Sequence, residues 1–303
     1  MGRVRRCATF LLALFCLAPW LTDRAEALES PRWSAGSLHA SFTNLQPQLA
    51  QNQYGRPIYL ESADTGTELT GELYAQVNYP LAKVKLALGN PANWCDLLLL
   101  HIHTKHCSTR RSESGNEQIA VHIGSKEFQR LDQAYPLDFS YRVDAAEPGY
   151  LDISLVAAVG PMGTSDYQIR VEAVPLLGGA TFLHLRYAYS YNFLGNLAMR
   201  AYLSTVGLGK VGFTQLVPTT GKTPYFIGGA RGVMERNTMR YFLAVDAYLA
   251  ALAEPPGVQL EKRLANWFAQ TQAFPIQFRD LDLDTYLDVK RREYRRQVEG
   301  NTR

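Results

Sequence analysis

The sequence contains little cysteine and no strong excess of either charge. Its 303 residues include 4 cysteines, and the formal net charge is +3. A domain that binds nucleic acid normally presents a dense basic face, so this charge argues against a nucleic-acid partner. Cys7 and Cys16 lie close to the N-terminus, which leaves Cys95 and Cys107 as the pair in the rest of the chain.

Several motifs of common enzyme classes are also missing. The sequence contains neither the G-x-S-x-G elbow of serine hydrolases nor the H-E-x-x-H zinc motif. Residues 207–212 match G-x-G-x-x-G, but a helix-like segment precedes them and a strand-like segment follows. A dinucleotide fold needs the opposite order, and Leu216 stands where a P-loop ending at Thr223 would need its first glycine. We therefore predict no catalytic residue and no cofactor.

Long hydrophobic runs are absent except near the N-terminus. Residues 8–20 form an apolar stretch of 13 residues, whereas a membrane-spanning helix needs roughly 20. Arginines at residues 3–6 precede this stretch and Ala25-Glu26-Ala27 follows it, as in a secretory signal peptide. We predict that residues 1–27 are a signal peptide and that a mature chain of net charge +1, with no transmembrane segment, is periplasmic or secreted.

Cys95 and Cys107 lie within the stretch "WCDLLLLHIHTKHC". In an oxidising compartment such a pair is most simply a disulfide, which stabilises by about 3 kcal/mol for a loop of this size. The alternative is a metal site, because His101 and His103 would share one face of a strand and imidazole suits zinc. An oxidised cysteine pair cannot ligate a metal, and no carboxylate stands at a matching offset. We predict a disulfide, no metal site, and a strand over 96–104 with both histidines facing outward.

The periodicity of apolar residues predicts a sheet followed by a long helix. Alternation indicates strands at 71–80, 117–124, 136–144, 150–160, 165–175 and 180–191. Helical spacing indicates short helices at 81–88, from 91 and at 192–207, and a long amphipathic helix at 231–252. Residues 28–67 read as an extended N-terminal arm and residues 254–303 as a helical C-terminal appendage.

The predicted class is therefore α+β, with a curved antiparallel sheet around a long C-terminal helix. Such a sheet must cover its apolar face, and only the helix at 231–252 is large enough to do so. The stretches "GELYAQVNYPLAKVKLALGNPANWCDL" (71–97) and "GGARGVMERNTMRYFLAVDAYL" (228–249) resemble the start and end of the START-like, or polyketide-cyclase (SRPBCC), superfamily. The resemblance covers residues 68–253. The "WC" and "ERN-x-MRY" stretches are similar to those of certain exported bacterial proteins.

The resemblance implies a helix-grip domain with a cavity for a lipid, a sterol or another apolar ligand, and it transfers no catalytic residue. Alternation places one set of side chains on a single face of the last strand, and helical spacing places a second set opposite them. The candidate cavity residues are Leu183, Leu185, Tyr187, Tyr189, Tyr191, Tyr241, Val245, Tyr248 and Leu249. A buried tyrosine hydroxyl needs a partner, which is either water or a polar ligand end, or backbone at the rim of the sheet.

Charged residues suggest further contacts. Glu235, Arg236 and Arg240 are candidates for the cavity mouth, where a cation would meet an anionic head group; the alternative is an ion pair inside the protein. On the opposite face of the last strand, His184 and Arg186 are predicted to face solvent. The basic residues 290–296 are either a solvated helix face or a peripheral contact with an anionic membrane.

Three functions are compatible with this sequence. The preferred one is an exported protein that binds an apolar or lipid-like small molecule between sheet and helix. The alternatives are a cyclase- or hydrolase-type enzyme that uses the same cavity, and a structural or assembly protein of the cell envelope.

Overall fold

The centre of the structure is an antiparallel sheet of eight strands that curves around one long helix, so the predicted α+β class is confirmed. This computed structural model describes residues 33–112, 115–205, 207–218 and 223–301. The predicted signal peptide at residues 1–27 lies outside the described residues. Within the described part, no helix has the length and apolar character needed to cross a membrane.

The sheet follows the chain in sequential antiparallel pairs, except that its second strand pairs with its last. Its order is β1-β2-β8-β7-β6-β5-β4-β3. The strands are β1 (Ile58–Asp64), β2 (Glu68–Val77), β3 (Thr104–Arg111), β4 (Glu117–Ile123), β5 (Tyr135–Ala145), β6 (Leu151–Val159), β7 (Thr164–Pro175) and β8 (Thr181–Tyr191). The short strands β9 (Gln215–Leu216) and β10 (Tyr225–Phe226) pair separately.

The helices lie before, between and after these strands. They are α1 (Ala35–Asn44), α2 (Gln46–Ala50), α3 (Leu81–Leu88), α4 (Pro91–Leu98), α5 (Phe193–Leu203), α6 (Gly229–Ala251), α7 (Pro256–Gln272), α8 (Pro275–Phe278) and α9 (Leu283–Asn301). Helix α6 is the predicted long helix, and it packs on β2, β1 and β8 as well as on α7. Because it is covered from two sides, most of its 23 residues are buried.

The prediction of an extended N-terminal arm is wrong for the described residues 35–50, which form α1 and α2, and residues 58–64 are not a separate arm but the edge strand β1 of the sheet. Ser34 caps α1 by accepting a hydrogen bond from the Ser37 backbone N–H at 3.1 Å, in a reciprocal capping box. Leu38 and Leu49 then pack with Phe182 in a second apolar cluster. Polar residues separate the apolar residues of this segment, so two short helices were not predicted from its periodicity. These helices cover the face of the sheet opposite α6.

The predicted strand over 96–104 is also wrong. Asn90 caps α4, which continues to Leu98, and β3 begins only at Thr104. A short apolar run bounded by polar residues fits a buried helix as well as a strand. The predicted disulfide is confirmed: it joins Cys95 in α4 to Cys107 in β3, with their Cα atoms 5.1 Å apart.

The helical C-terminal segment is helical as predicted, but it is not an appendage. Trp267 and Tyr286 belong to the same hydrophobic core as the sheet. Only part of the basic run 290–296 is on the surface: Arg291, Arg292 and Arg295 are exposed, whereas Lys290 is fully buried and Arg296 donates to two backbone carbonyls, at Gln129 and Lys105. The hydrogen bond from Arg296 Nη1 to the Gln129 carbonyl is 2.9 Å long.

Candidate functional site

A cavity of about 510 Å³ opens between the inner face of the sheet, α5 and the N-terminal half of α6. Its apolar and aromatic wall includes Leu137, Phe139, Tyr167, Ile169, Tyr187, Tyr189, Met199 and Tyr241. Strands β5, β7 and β8 supply six of these eight residues, and Ile169 stands opposite Tyr187 in the register of β7 and β8. Most of the wall therefore follows from strand parity.

Tyrosine rings form the floor of the cavity. Tyr167 stacks on Tyr189 with ring centroids 5.0 Å apart, and Tyr187 meets Tyr241 of α6 edge-on at 5.0 Å. The Tyr167 hydroxyl donates to Thr164 Oγ1 at 3.0 Å. The hydroxyls of Tyr187, Tyr189 and Tyr241 form no hydrogen bond to a described residue. Burial raises the pKa of all three, so at neutral pH they are protonated donors that face the cavity.

Three cations, Lys210, Arg236 and Arg240, line the same cavity. Arg236 and Arg240 of α6 are 4% and 3% exposed, and each donates from Nη2 to the carboxylate of Asp280. Lys210 Nζ lies 3.3 Å from the same carboxylate. Burial by itself would raise the pKa of Asp280, but Arg240, Arg236 and Lys210 together lower it to about 2. One carboxylate therefore faces three cations.

Two neutral histidines line the cavity beside these cations. His103 Nδ1 lies 2.9 Å from the Gly124 carbonyl, to which it donates, and the His103 backbone N–H donates to His101 Nδ1 at 3.2 Å. The proton of His101 is therefore on Nε2. Burial, assisted by Arg240, lowers the pKa of both rings, to about 3 for His103.

The His101 ring is 4% exposed and stacks on Tyr241 with centroids 4.9 Å apart. Its Nε2 makes no hydrogen bond of normal geometry, although the Asn237 side chain is close enough to offset, by a weak hydrogen bond, part of the lowering of the ring's pKa by burial. Among the described residues, no group of three or more His, Cys, Asp and Glu side chains could hold a metal ion.

The structure places three of the nine predicted cavity residues in the cavity wall. These are Tyr187, Tyr189 and Tyr241. The prediction is wrong for five others, which are buried in the packed core: Leu183, Leu185, Val245, Tyr248 and Leu249. Tyr191 lies beyond the cavity, beside a smaller pocket, where its hydroxyl donates to Asp64 at 2.6 Å. Parity identifies the inward face of a strand, but it does not identify where along that strand space is left.

The three residues predicted for the cavity mouth do not lie together. Arg236 and Arg240 line the cavity. Glu235 is directed away from it and accepts hydrogen bonds from Ser62 Oγ at 2.7 Å and from the Phe213 backbone N–H at 2.6 Å. Lys210 and Asp280 were not predicted as site residues, because nothing in the local sequence pattern connects either of them with residues 236–240.

The expectation that His184 and Arg186 face solvent is wrong. They lie on the face of the sheet opposite the cavity, but only 5% and 8% of them is exposed. His184 is held between Glu72 Oε2 at 2.6 Å and Glu172 Oε2 at 3.0 Å. Trp33, just before α1, stacks on His184 with ring centroids 5.6 Å apart. The segment predicted to be an arm is what covers this face.

No protein-family model and no curated protein matches this chain. Solved structures that resemble it include a START superfamily protein from Mycobacterium smegmatis, at 13% identity over 45% of this chain and 88% of that one, with a TM-score of 0.31. Zhui aromatase/cyclase from Streptomyces sp. R1128 is 12% identical over 67% and 96% of the two chains, with a TM-score of 0.36. Human StAR-related lipid transfer protein 5 is 9% identical over 56% and 89%, with a TM-score of 0.30. These are distant similarities of backbone, so the ligand must be argued from this chain's own side chains.

Proposed function

We propose that this protein binds an apolar or lipid-like small molecule in the cavity between the sheet and α6. The observation that carries the proposal is the cavity of about 510 Å³ itself, walled largely by aromatic and aliphatic side chains. Protein interiors are close-packed and contain few voids larger than a water molecule, whereas small-molecule sites occupy roughly 300–1,000 Å³. A purely structural domain would be expected to fill this space with its own side chains.

The protonation states of the lining groups favour binding over catalysis. General acid–base catalysis is most effective with a group whose pKa lies near the working pH. Here burial lowers the pKa of His101 and His103 and raises that of Tyr187, Tyr189 and Tyr241. At neutral pH these five groups stay in one protonation state, which suits hydrogen-bond recognition better than proton transfer.

Export to an oxidising compartment is part of the proposal. It is supported by the signal-peptide pattern of residues 1–27 and by the Cys95–Cys107 disulfide, a bond that persists mainly outside the reducing cytosol. Membrane contact through residues 290–296 is left out of the proposal, because Lys290, Arg291 and Arg296 have partners within the protein.

The test is to fill the cavity and leave the fold unchanged. Ala198 of α5 lines the cavity, whereas its neighbour Leu197 is 54% exposed and lies outside the lining. We expect Ala198→Trp to weaken binding of a fluorescent fatty-acid probe by at least roughly 10-fold, and Leu197→Trp to leave it unchanged. Thermal unfolding checks that both variants are folded. Equal probe affinities for wild type, Ala198→Trp and Leu197→Trp would contradict binding in this cavity, and no binding by wild type would contradict the function.

A further inference from the structure

The wall of the cavity has cations and no anion. Lys210, Arg236 and Arg240 line it, and none of the described lining residues is an aspartate or a glutamate. Asp280 lies behind these cations and pairs with all three. The cluster therefore carries two positive charges more than its carboxylate balances, in a place where Arg236 and Arg240 are almost fully shielded from solvent.

Several N–H donors of Arg236 and Arg240 make no hydrogen bond within the described residues. Arg236 uses only Nη2 for Asp280, and Arg240 uses Nη2 for Asp280 and Nη1 for Asn237 Oδ1 at 2.9 Å. A guanidinium group has five N–H donors and no acceptor. The Nε donors of Arg236 and Arg240, and Nη1 of Arg236, make no hydrogen bond to a described residue.

A second, independent observation comes from His101. This side chain is 4% exposed, lines the cavity, and has an Nε2 atom without a hydrogen-bond partner of normal geometry. Since Nδ1 accepts from the His103 backbone N–H, Nε2 carries the proton and is a donor. Asn237 is the polar group beside this donor, but it makes no bond of normal geometry with it, and its Oδ1 already accepts from Arg240. Buried polar groups are nearly always paired in native proteins, so this donor in the cavity wall indicates an acceptor that the ligand supplies.

We propose that the ligand carries a carboxylate, bound by Arg236, Arg240 and His101, with its apolar body against Tyr167, Tyr187 and Tyr189. This inference rests on the proposed function and narrows it to an apolar acid. Water could satisfy the free donors, but only an anion also compensates the excess positive charge in a site of low dielectric. The planar fork of an arginine matches a carboxylate in particular.

The experiment compares two ligands that differ only at one end. Dodecanoic acid and 1-dodecanol compete against N-phenyl-1-naphthylamine, a neutral dye that fluoresces in apolar cavities. At neutral pH we expect the acid to displace the dye from wild type at a concentration at least roughly 10-fold lower than the alcohol. A roughly 10-fold difference in affinity corresponds to the free energy of about one charge-assisted hydrogen bond. This preference should disappear as the pH falls below the pKa of the free acid.

Variants locate the carboxylate. Arg236→Gln and Arg240→Gln should each weaken the acid by roughly 10-fold and leave the alcohol within about twofold. Lys210→Gln, at a less buried position, provides a milder charge removal should an arginine variant fail to fold. Arg263→Gln is the matched control, because Arg263 is buried and paired with Asp96 at 2.6 Å but lies outside the cavity wall.

Each outcome is decisive for one of the two proposals. Equal displacement by acid and alcohol from wild type would overturn the carboxylate and leave the proposed function intact. A loss of acid binding in Arg263→Gln as large as that in Arg236→Gln would also overturn it. If neither the dye nor either ligand binds wild type, the proposed function itself fails.

Discussion

Lys105 Nζ and Glu293 Oε1 are 2.7 Å apart, and neither side chain is exposed to solvent. This ion pair joins β3 to α9 across 188 residues of sequence. Glu293 also accepts from Lys290 at 2.8 Å, and Lys290 in turn donates to the carbonyl of His101 at 2.6 Å. The C-terminal helix is thereby tied to the turn that presents His101 to the cavity.

We expect Glu293→Gln to lower the free energy of unfolding by about 3–5 kcal/mol, because it leaves two buried ammonium groups without a counter-ion. Urea unfolding measures the change. Glu261→Gln is the control, since the Glu261–Arg291 pair is about half exposed and such pairs contribute roughly 0–1 kcal/mol. Similar costs for the two variants would show that the buried pair does not hold α9 in place.

Helix α6 approaches β2 closely at Gly71. A Cβ atom at this position would lie 2.1 Å from Thr238 Oγ1 and 3.1 Å from Thr238 Cβ. Gly71→Ala should therefore destabilise the protein by about 1–3 kcal/mol through overpacking. Adding Thr238→Ala should recover part of the loss, because it removes the nearest atom. Gly149→Ala, where the added atom meets nothing within 4 Å, should be close to neutral in the same thermal unfolding assay.

The environment of His184 predicts a dependence of stability on pH. Burial by itself would lower the pKa of His184, but Glu172 and Glu72 outweigh it and the pKa is raised. A histidine with a raised pKa in the folded state contributes stability that is complete below its unfolded pKa of about 6.5 and is lost as the pH rises through the folded value. His184→Gln should therefore cost more stability at about pH 6 than at about pH 9.

Glu72 predicts how stability depends on pH in the acid range. Burial alone would raise its pKa, but His184 and Arg186 outweigh burial and lower it, so its contribution is present above its unfolded pKa and is lost as the pH falls through the folded one. Denaturant unfolding at several pH values tests both signs. His39→Gln on the exposed side of α1 is the control, and a cost of His184→Gln that is independent of pH would refute the assignment.

The disulfide should contribute measurably to stability. Cys95 and Cys107 close a loop with a sequence separation of 12, for which the chain-entropy model gives about 3 kcal/mol. Reductant should lower the urea midpoint of a chain beginning at Leu28 and have no effect on the double variant Cys95→Ala, Cys107→Ala. Thiol labelling of the denatured, unreduced chain should find no free cysteine. Two labelled thiols would contradict the bond.

Local periodicity was sufficient to predict most of the sheet and the long helix. Alternation in β7, for example, places Tyr167, Ile169 and Val171 on the buried inner face, because successive side chains of a strand point to opposite sides whatever surrounds them. The same rule identified Tyr187 and Tyr189 as inward-facing residues. The spacing of apolar residues likewise placed α6 within two residues of its observed ends, and the signal-peptide pattern, which leaves Cys95 and Cys107 as the pair in the rest of the chain, was sufficient to predict their disulfide.

Only the tertiary structure decided which inward residues face a space and which charges meet. Leu185 and Tyr187 share a face, yet Leu185 is packed while Tyr187 lines the cavity, because the gap depends on how far α6 stands from the sheet at each level. Asp280 reaches Arg240 from 40 residues away, and Trp33, just before α1, stacks on the outward-facing His184 and helps to bury it. Periodicity is a property of a few consecutive residues, whereas burial and charge pairing depend on segments that the chain brings together only when it folds.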